Sequence, residues 1–326
     1  MAFSDIFGHE KQIEALQKTL SQKRTAHAYL FSGIEAIGKR TLAIEFGKAC
    51  NCANFDTLND SCDNCATCRK IARAVHPDFF FVRPEGQFIR INAVREIQEQ
   101  MNFKPLEAAC RTFIVDNADK MNEQAANAIL KTLEEPSLAN LIILVTNRPY
   151  ALPATIISRC LHMRFNPLRQ ESVAGFLMEH KGMEKQRALL LAGLSGGSIG
   201  RALDLNNEEV IAFRAATFEL LTSTQKGKPF SMIDLASFLA QSKNDTRLGL
   251  DIIGSYFRDA LVFKETKKTQ MLLNQDKAGF IATAADRLSG KQILQNIERV
   301  GEAQEALERN LNKTLTLETM AFKLHY

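Results

Sequence analysis

The chain of 326 residues contains no tryptophan and no apolar run long enough to cross a bilayer. The missing tryptophan carries no functional information. The missing apolar run argues against a helical membrane protein. Strong charge of either sign is lacking too: 41 basic against 37 acidic side chains leave a formal net charge of +4. That balance permits contact with nucleic acid without demanding it, unlike the strongly basic face of a dedicated DNA binder. The opening "MAFSDIFGHEKQIEALQ" is acidic and helical in pattern, so it does not read as a secretory signal. A reducing, cytoplasmic location is expected, where the seven cysteines serve as ligands or core residues and not as disulfides. Neither a short repeat nor a low-complexity segment stands out, and the mass suffices for two or three domains.

What is present is an alternation of apolar strands and amphipathic helices. "AHAYLFSG" (Ala26 to Gly33) predicts a strand running into a glycine loop, and "KRTLAIEFGKAC" follows with helical spacing. Three more strands are predicted: "DFFFVRP" near Phe79, "RTFIVDNAD" ending at Asp119, and "NLIILVTN" ending at Asn147. Between the last two, "NEQAANAILKTLEE" puts Ala126, Ile129, Leu130 and Leu133 on one helical face, and Pro136 is expected to end that helix. Nearly continuous apolar strands separated by helices predict a parallel sheet covered on both faces. After about Phe165 the pattern turns helical. "LSGGSIGRAL" (Leu194 to Leu203) is a Gly/Ser break, and no strand is expected from about Asn206 onward. The fold class is therefore α/β plus all-α.

"CDNCATC" places Cys62, Cys65 and Cys68 at two-residue gaps, with Cys50 and Cys52 upstream. Such gaps let thiolates converge on one ion, and four of them form a closed tetrahedral zinc site. An iron–sulfur cluster uses the same triplet but expects a fourth cysteine and a proline just downstream. Here "RKIARAV" follows Cys68, so the fourth ligand must come from upstream. Cys52 is the choice and Cys50 the alternative. A four-cysteine site has no open coordination position, which makes the zinc structural. Cys110 and Cys160 read as buried thiols.

"GIEAIGKRTL" (Gly33 to Leu42) nearly matches the phosphate-loop pattern G-x-x-x-x-G-K-[ST]. Gly33 and Gly38 allow backbone N–H groups to cradle phosphate, and Lys39 stands where the loop lysine belongs. Arg40 replaces the hydroxyl that would hold Mg²⁺, and Thr41 arrives one residue late. "FIVDNAD" supplies the apolar strand and leading Asp116 of a Walker-B segment, but Asn117 replaces the glutamate that activates water. Asparagine can orient a water and cannot accept its proton. Both defects fall on hydrolysis while the scaffold persists, a pattern that favours a retired motor over an unrelated glycine turn. "ATIISRC" then places Ser158, Arg159 and Cys160 just beyond the last predicted strand. Arg159 reads either as an arginine finger for a neighbouring subunit's γ-phosphate or as an ordinary salt-bridged surface arginine. Beside a disabled local site, the finger is the better explanation.

Taken together, these residues resemble the delta-prime subunits of bacterial DNA polymerase III clamp loaders, which are AAA+ proteins. The resemblance covers most of the chain and rests on "FSDIFGHEKQIEALQKTL", "HAYLFSGIEAIGKRTLA", "CDNCATCRKI" with His76-Pro77-Asp78, "FIVDNADKMNEQAANAILKTLEEP", "LVTNRPYALPATIISRC" and "LSGGSIGRAL". It implies a RecA-like sheet domain over 1–165 carrying the zinc module at about 50–70. A helical lid over 166–205 and a helical collar over 206–326 follow. It implies that Arg159 completes the ATP site of an adjacent motor subunit. Thr146 and Asn147 would stand at the sensor-1 position, Arg201 at sensor 2, and Cys52, Cys62, Cys65 and Cys68 at the zinc ligands. The implied partners are delta and gamma/tau subunits in a pentamer, and through them the sliding clamp and primed DNA. No ATPase of its own is expected, only membership of the polymerase III holoenzyme, a nucleotidyltransferase assembly. Because Lys39 is kept, nucleotide binding without turnover stays open, and Arg40 can itself enter the phosphate pocket.

Two other readings compete. One is an active ATPase motor of the same fold, with Thr41 supplying the hydroxyl and Asp119 or Asn117 managing the water. The other is a zinc-dependent nucleic-acid module acting alone, which the modest charge disfavours.

Overall fold

Five parallel strands form one sheet in the order β2-β3-β4-β1-β5. They are β1 (Ala28–Gly33), β2 (Phe79–Val82), β3 (Arg111–Asp116), β4 (Asn140–Thr146) and β5 (Leu161–Phe165). This computed structural model describes residues 1–135, 139–224, 228–241, 246–309 and 311–326. Pro136 lies outside them. The helix it was expected to end, Glu123–Glu134, closes just before it.

Side chains of a strand alternate between the two faces of the sheet, and both faces are covered. On one, Leu30, Phe113, Val115, Ile142 and Leu144 pack with helices α5 (Ile91–Met101) and α6 (Glu123–Glu134), through Val94, Ile97, Ala126, Ile129 and Leu133. Leu130 joins this cluster from a half-buried position. On the other face, Tyr29, Phe31, Ile114, Ile143 and Val145 pack with α1 (Glu10–Ser21) and α2 (Lys39–Cys50), through Leu16, Leu42 and Phe46. Short helices α3 (Phe55–Leu58) and α4 (Ala66–Ala72) carry the cysteine insertion, and α7 (Ala154–Ile157) precedes β5.

β5 is an addition to the four strands expected from the sequence. Its "LHMRF" is exposed or half-buried at the sheet edge except for Phe165, so it lacks the apolar run that marks the others. An edge strand with one buried residue leaves little hydrophobic signal.

The chain divides into two compact units. The first comprises Met1–Leu168 with Ser198–Gly200, and the second Arg169–Gly197 with Arg201–Tyr326. The remaining helices are α8 (Gln170–Lys181), α9 (Lys185–Leu194), α10 (Ile199–Asp204), α11 (Glu208–Ser223), α12 (Pro229–Gln241), α13 (Thr246–Thr266), α14 (Ala278–Arg287), α15 (Gly290–Glu308) and α16 (Lys313–Lys323). Among the described residues from Asn206 onward there is no strand. Leu235, Ile252, Ile253, Phe257, Ile281, Ile293 and Leu317 are buried in this second unit. Its core also holds a polar knot: Asp259 accepts from Asn274 N–H at 2.8 Å, and Arg214 donates to Asn274 at 2.8 Å and pairs with Asp276.

Candidate functional site

The phosphate loop opens at the C-terminal edge of the parallel sheet, where open α/β sheets place their ligands. Ser32 of β1 pairs in register with Thr146 of β4, and Asp116 of β3 with Val145 of β4. The ends of three adjacent strands thus gather Gly33, Asp116, Asn117, Thr146 and Asn147. At Gly33 the reason for glycine is space: a Cβ there would meet the Phe165 carbonyl oxygen at 2.5 Å. Gly38 caps α2 in a left-handed conformation (φ 105°) that side chains rarely adopt.

The loop's cations are already engaged. Lys39 Nζ donates to the carbonyls of Gly33 at 2.7 Å and Ile34 at 2.5 Å. Burial pulls its ammonium down to about 8, with Asp116, Glu35 and Asp119 opposing. The Arg40 guanidinium lies 3.9 Å from Asp116 Oδ2 and 5.0 Å from the centre of the Phe81 ring, which Arg83 shares at 4.5 Å. This donor set does not fit a magnesium ion. Position 40 offers a cation where the metal needs an oxygen, and the carboxylate that would face the metal has that cation beside it. Thr41 is half-buried on α2. Asn117 follows β3 in a left-handed conformation (φ 54°), and the Thr146 hydroxyl donates to Asp119 Oδ1 at 2.6 Å.

Arg159 stands just beyond α7, about one-third exposed (35%). Its Nη1 donates to the Thr155 carbonyl at 3.0 Å, and its Nη2 is ion-paired with Glu134 Oε1 at 2.7 Å. Arg201 belongs to the second unit, where it pairs with Asp251 of α13. Asp251 also accepts from Gln304 at 2.8 Å.

Several contacts at the loop were not singled out from the sequence. His9, buried and left-handed (φ 64°), donates from Nε2 to the Ile37 carbonyl at 2.9 Å and meets Phe165 edge-on. Burial lowers its pKa, which favours the neutral imidazole. Gly200, within the "LSGGSIGRAL" break, donates its N–H to the Ala36 carbonyl at 3.2 Å, and a Cβ there would approach that oxygen to 2.7 Å. The glycine in the break was visible, but nothing local said where it returns.

The cysteine insertion is different in kind. One ligand atom from each of Cys52, Cys62, Cys65 and Cys68 lies within 4.8 Å of all the others. Peptide N–H groups turn inward on the sulfurs: Cys62 N–H to Cys52 at 3.3 Å, Cys65 N–H to Cys62 at 3.3 Å, and Cys68 N–H to Cys65 at 3.4 Å. The Cys65 N–H is the main reason the Cys62 thiol is brought down to about 6, whereas burial pushes Cys52 and Cys68 up. A group of four cysteine sulfurs with N–H donors around them fits a structural metal ion.

Cys50 stands outside the group and packs, half-buried, against the sheet core. Cys110 and Cys160 are also half-buried where buried thiols were expected, because each lies at the margin of a core cluster. Burial still raises their thiols, to about 11 and about 12.

One ionic contact ties this insertion to α2, and a second, buried one follows it in the chain. Asp63, inside the cysteine loop, accepts from Lys48 of α2 at 2.6 Å, and Lys48 also pairs with Glu45 at 2.5 Å. Asp78, after His76-Pro77, is buried with Arg111. Its carboxylate accepts from Arg111 Nε and Nη2 at 3.0 and 2.8 Å and from the N–H groups of Leu106, Glu107 and Ala108 at 2.7 to 3.0 Å. Those N–H bonds and the guanidinium outweigh burial and hold Asp78 at about 2.

A phosphate loop between β1 and α2 on a parallel five-stranded sheet, followed by a helical unit, defines a protein of the AAA+ type expected from the sequence. Two family descriptions match: "DNA polymerase III, delta subunit" over residues 8–169 and "DNA polymerase III, delta subunit, C terminal" over residues 210–325. The chain is 30% identical to DNA polymerase III subunit delta-prime of Pseudomonas aeruginosa over 302 residues, covering 90% of each. With the delta-prime subunit of Bacillus subtilis it shares 29% over 316 residues, 96% of this chain and 94% of that one. Tau and gamma subunits of DNA polymerase III are also among its relatives. A gamma subunit-related protein of Thermotoga maritima aligns in structure over 95% of this chain and 97% of its own, at 20% identity and a TM-score of 0.38. The chain belongs to the delta-prime family of DNA polymerase III clamp-loader subunits.

Proposed function

We propose that this chain is a non-hydrolysing stator of the clamp loader, which donates Arg159 to the nucleotide site of a neighbouring ATPase subunit. One observation carries the reading: Arg40 takes the place of the metal-binding hydroxyl and stands beside Asp116, while Asn117 takes the place of the base. A site that neither holds Mg²⁺ nor accepts a proton has no hydrolysis to perform. Its sheet can still fix the position of an arginine on its surface. The neighbours are subunits of the delta and gamma/tau kinds in a pentamer that loads the sliding clamp onto primed DNA in the cytoplasm.

The cysteine group holds a structural zinc, a closed tetrahedral site with no coordination position left for chemistry. Residues 166–205 act as the lid, with Arg201 at sensor 2. The sensor-1 position falls to Thr146 and Asn147. Helices from Asn206 onward form the collar. The test is ATPase activity of the assembly reconstituted with Arg159→Ala. The variant should fold and assemble as the parent does while the activity falls, because a finger supplied in trans contributes about a thousandfold or more at the one site it serves. Unchanged activity removes the finger assignment.

A further inference from the structure

Arg159 does not wander over the surface. Nη1 is held on the Thr155 carbonyl and Nη2 on Glu134, which among the described residues engages two of its five N–H donors. A guanidinium gripped along one side is a different tool from one on a free stem, because its rotamers are already selected.

The partner is oddly placed for its own helix. Glu134 is the last residue of α6, where the aligned peptide dipoles concentrate negative charge and disfavour a carboxylate. Nothing about helix stability calls for an acid at that position. The same negative helix end and the carboxylate together make an electrostatic socket for a cation, and Arg159 occupies it. The pair is also half open to solvent, 35% exposed on the arginine and 48% on the glutamate. An ion pair of that exposure is weak. It biases a rotamer without withdrawing the charge from another anion.

We propose that Glu134 is the positioning residue for Arg159. It pre-orients the guanidinium in the same subunit so that its open edge meets the partner's triphosphate without a rotamer search. The inference rests on the finger reading above and deepens it. Glu134 has no part in holding the nucleotide or the attacking water, and it acts only through Arg159.

The experiment uses the reconstituted assembly with Mg·ATP and compares Glu134→Gln, Glu134→Ala, Arg159→Ala and the double variant Glu134→Ala/Arg159→Ala. Thermal melting and assembly are checked first. Glu134→Gln should lower kcat about two- to fivefold and leave KM for ATP unchanged, the scale of an exposed ion pair. In the Arg159→Ala background, Glu134→Ala should add no further loss, since its only route to the reaction is gone. If Glu134→Gln matches wild type while Arg159→Ala is impaired, the positioning role is overturned and the finger stands. An equal loss from Glu134→Ala with and without Arg159 overturns it as well, in favour of a purely structural glutamate. If Arg159→Ala itself is silent, the finger reading fails and this inference falls with it.

Discussion

Helix α2 separates two loops that treat charge in opposite ways. At its N-terminal end, the phosphate loop meets its own needs. Lys39 caps the Gly33 and Ile34 carbonyls, and Arg40 stands beside Asp116. Beyond its C-terminal end, four thiol sulfurs crowd within 4.8 Å of one another. As thiolates they would repel until a cation neutralised them, so under the zinc proposal metal binding and folding are coupled there. Both loops carry recognisable motif spacing, the phosphate loop with Arg40 in place of its Ser/Thr. Under the proposed reading, the balance of charge around them separates a site that calls for an ion from one that has supplied its own.

The largest expected effect breaks the metal side of this contrast. Cys65→Ser should abolish tightly bound zinc and lower the melting temperature of the first unit, whereas Cys50→Ser should keep the metal. Metal analysis of the two purified variants checks this, and retained zinc in Cys65→Ser removes that residue from the ligand set. Next comes the buried ion pair beside the insertion. Asp78→Ala leaves Arg111 buried without its carboxylate and should cost about 3–5 kcal/mol in urea unfolding. The folded pKa of Asp78, about 2, lies below its ordinary 3.8, so its stabilisation is full above about 4. It is lost as pH falls from there toward 2. The stability gap between the parent and Asp78→Asn should therefore shrink over that range, and a gap independent of pH would contradict the assignment.

These differences also mark how much could be read beforehand. The phosphate loop, the cysteine triplet and four strands were legible because each is written in local spacing or in a continuous apolar run. What escaped was long-range or marginal. β5 offers a single buried residue, Phe165. The Glu134–Arg159 pair joins positions 25 apart in sequence that meet only because α6 and α7 pack together. The contact between Arg40 and Asp116 crosses from α2 to the end of β3. No periodicity announces such pairs.

The smallest expected effect lies on the phosphate-loop side. The Arg40–Asp116 contact is wide and half exposed, so Arg40→Ala should change stability by less than about 1 kcal/mol. Arg40→Thr restores the hydroxyl and removes the cation beside Asp116. Magnesium-dependent nucleotide affinity, followed by calorimetry, should rise about tenfold, equivalent to about 1.4 kcal/mol. No rise would mean that the arginine is not the obstacle.

The central claim is that this pocket no longer turns over nucleotide, and the isolated chain tests it most directly. Purified protein mixed with Mg·ATP should release phosphate no faster than a Lys39→Ala control. Turnover of about one per second, a common enzyme rate, that disappears in Lys39→Ala would contradict the account and identify a working motor.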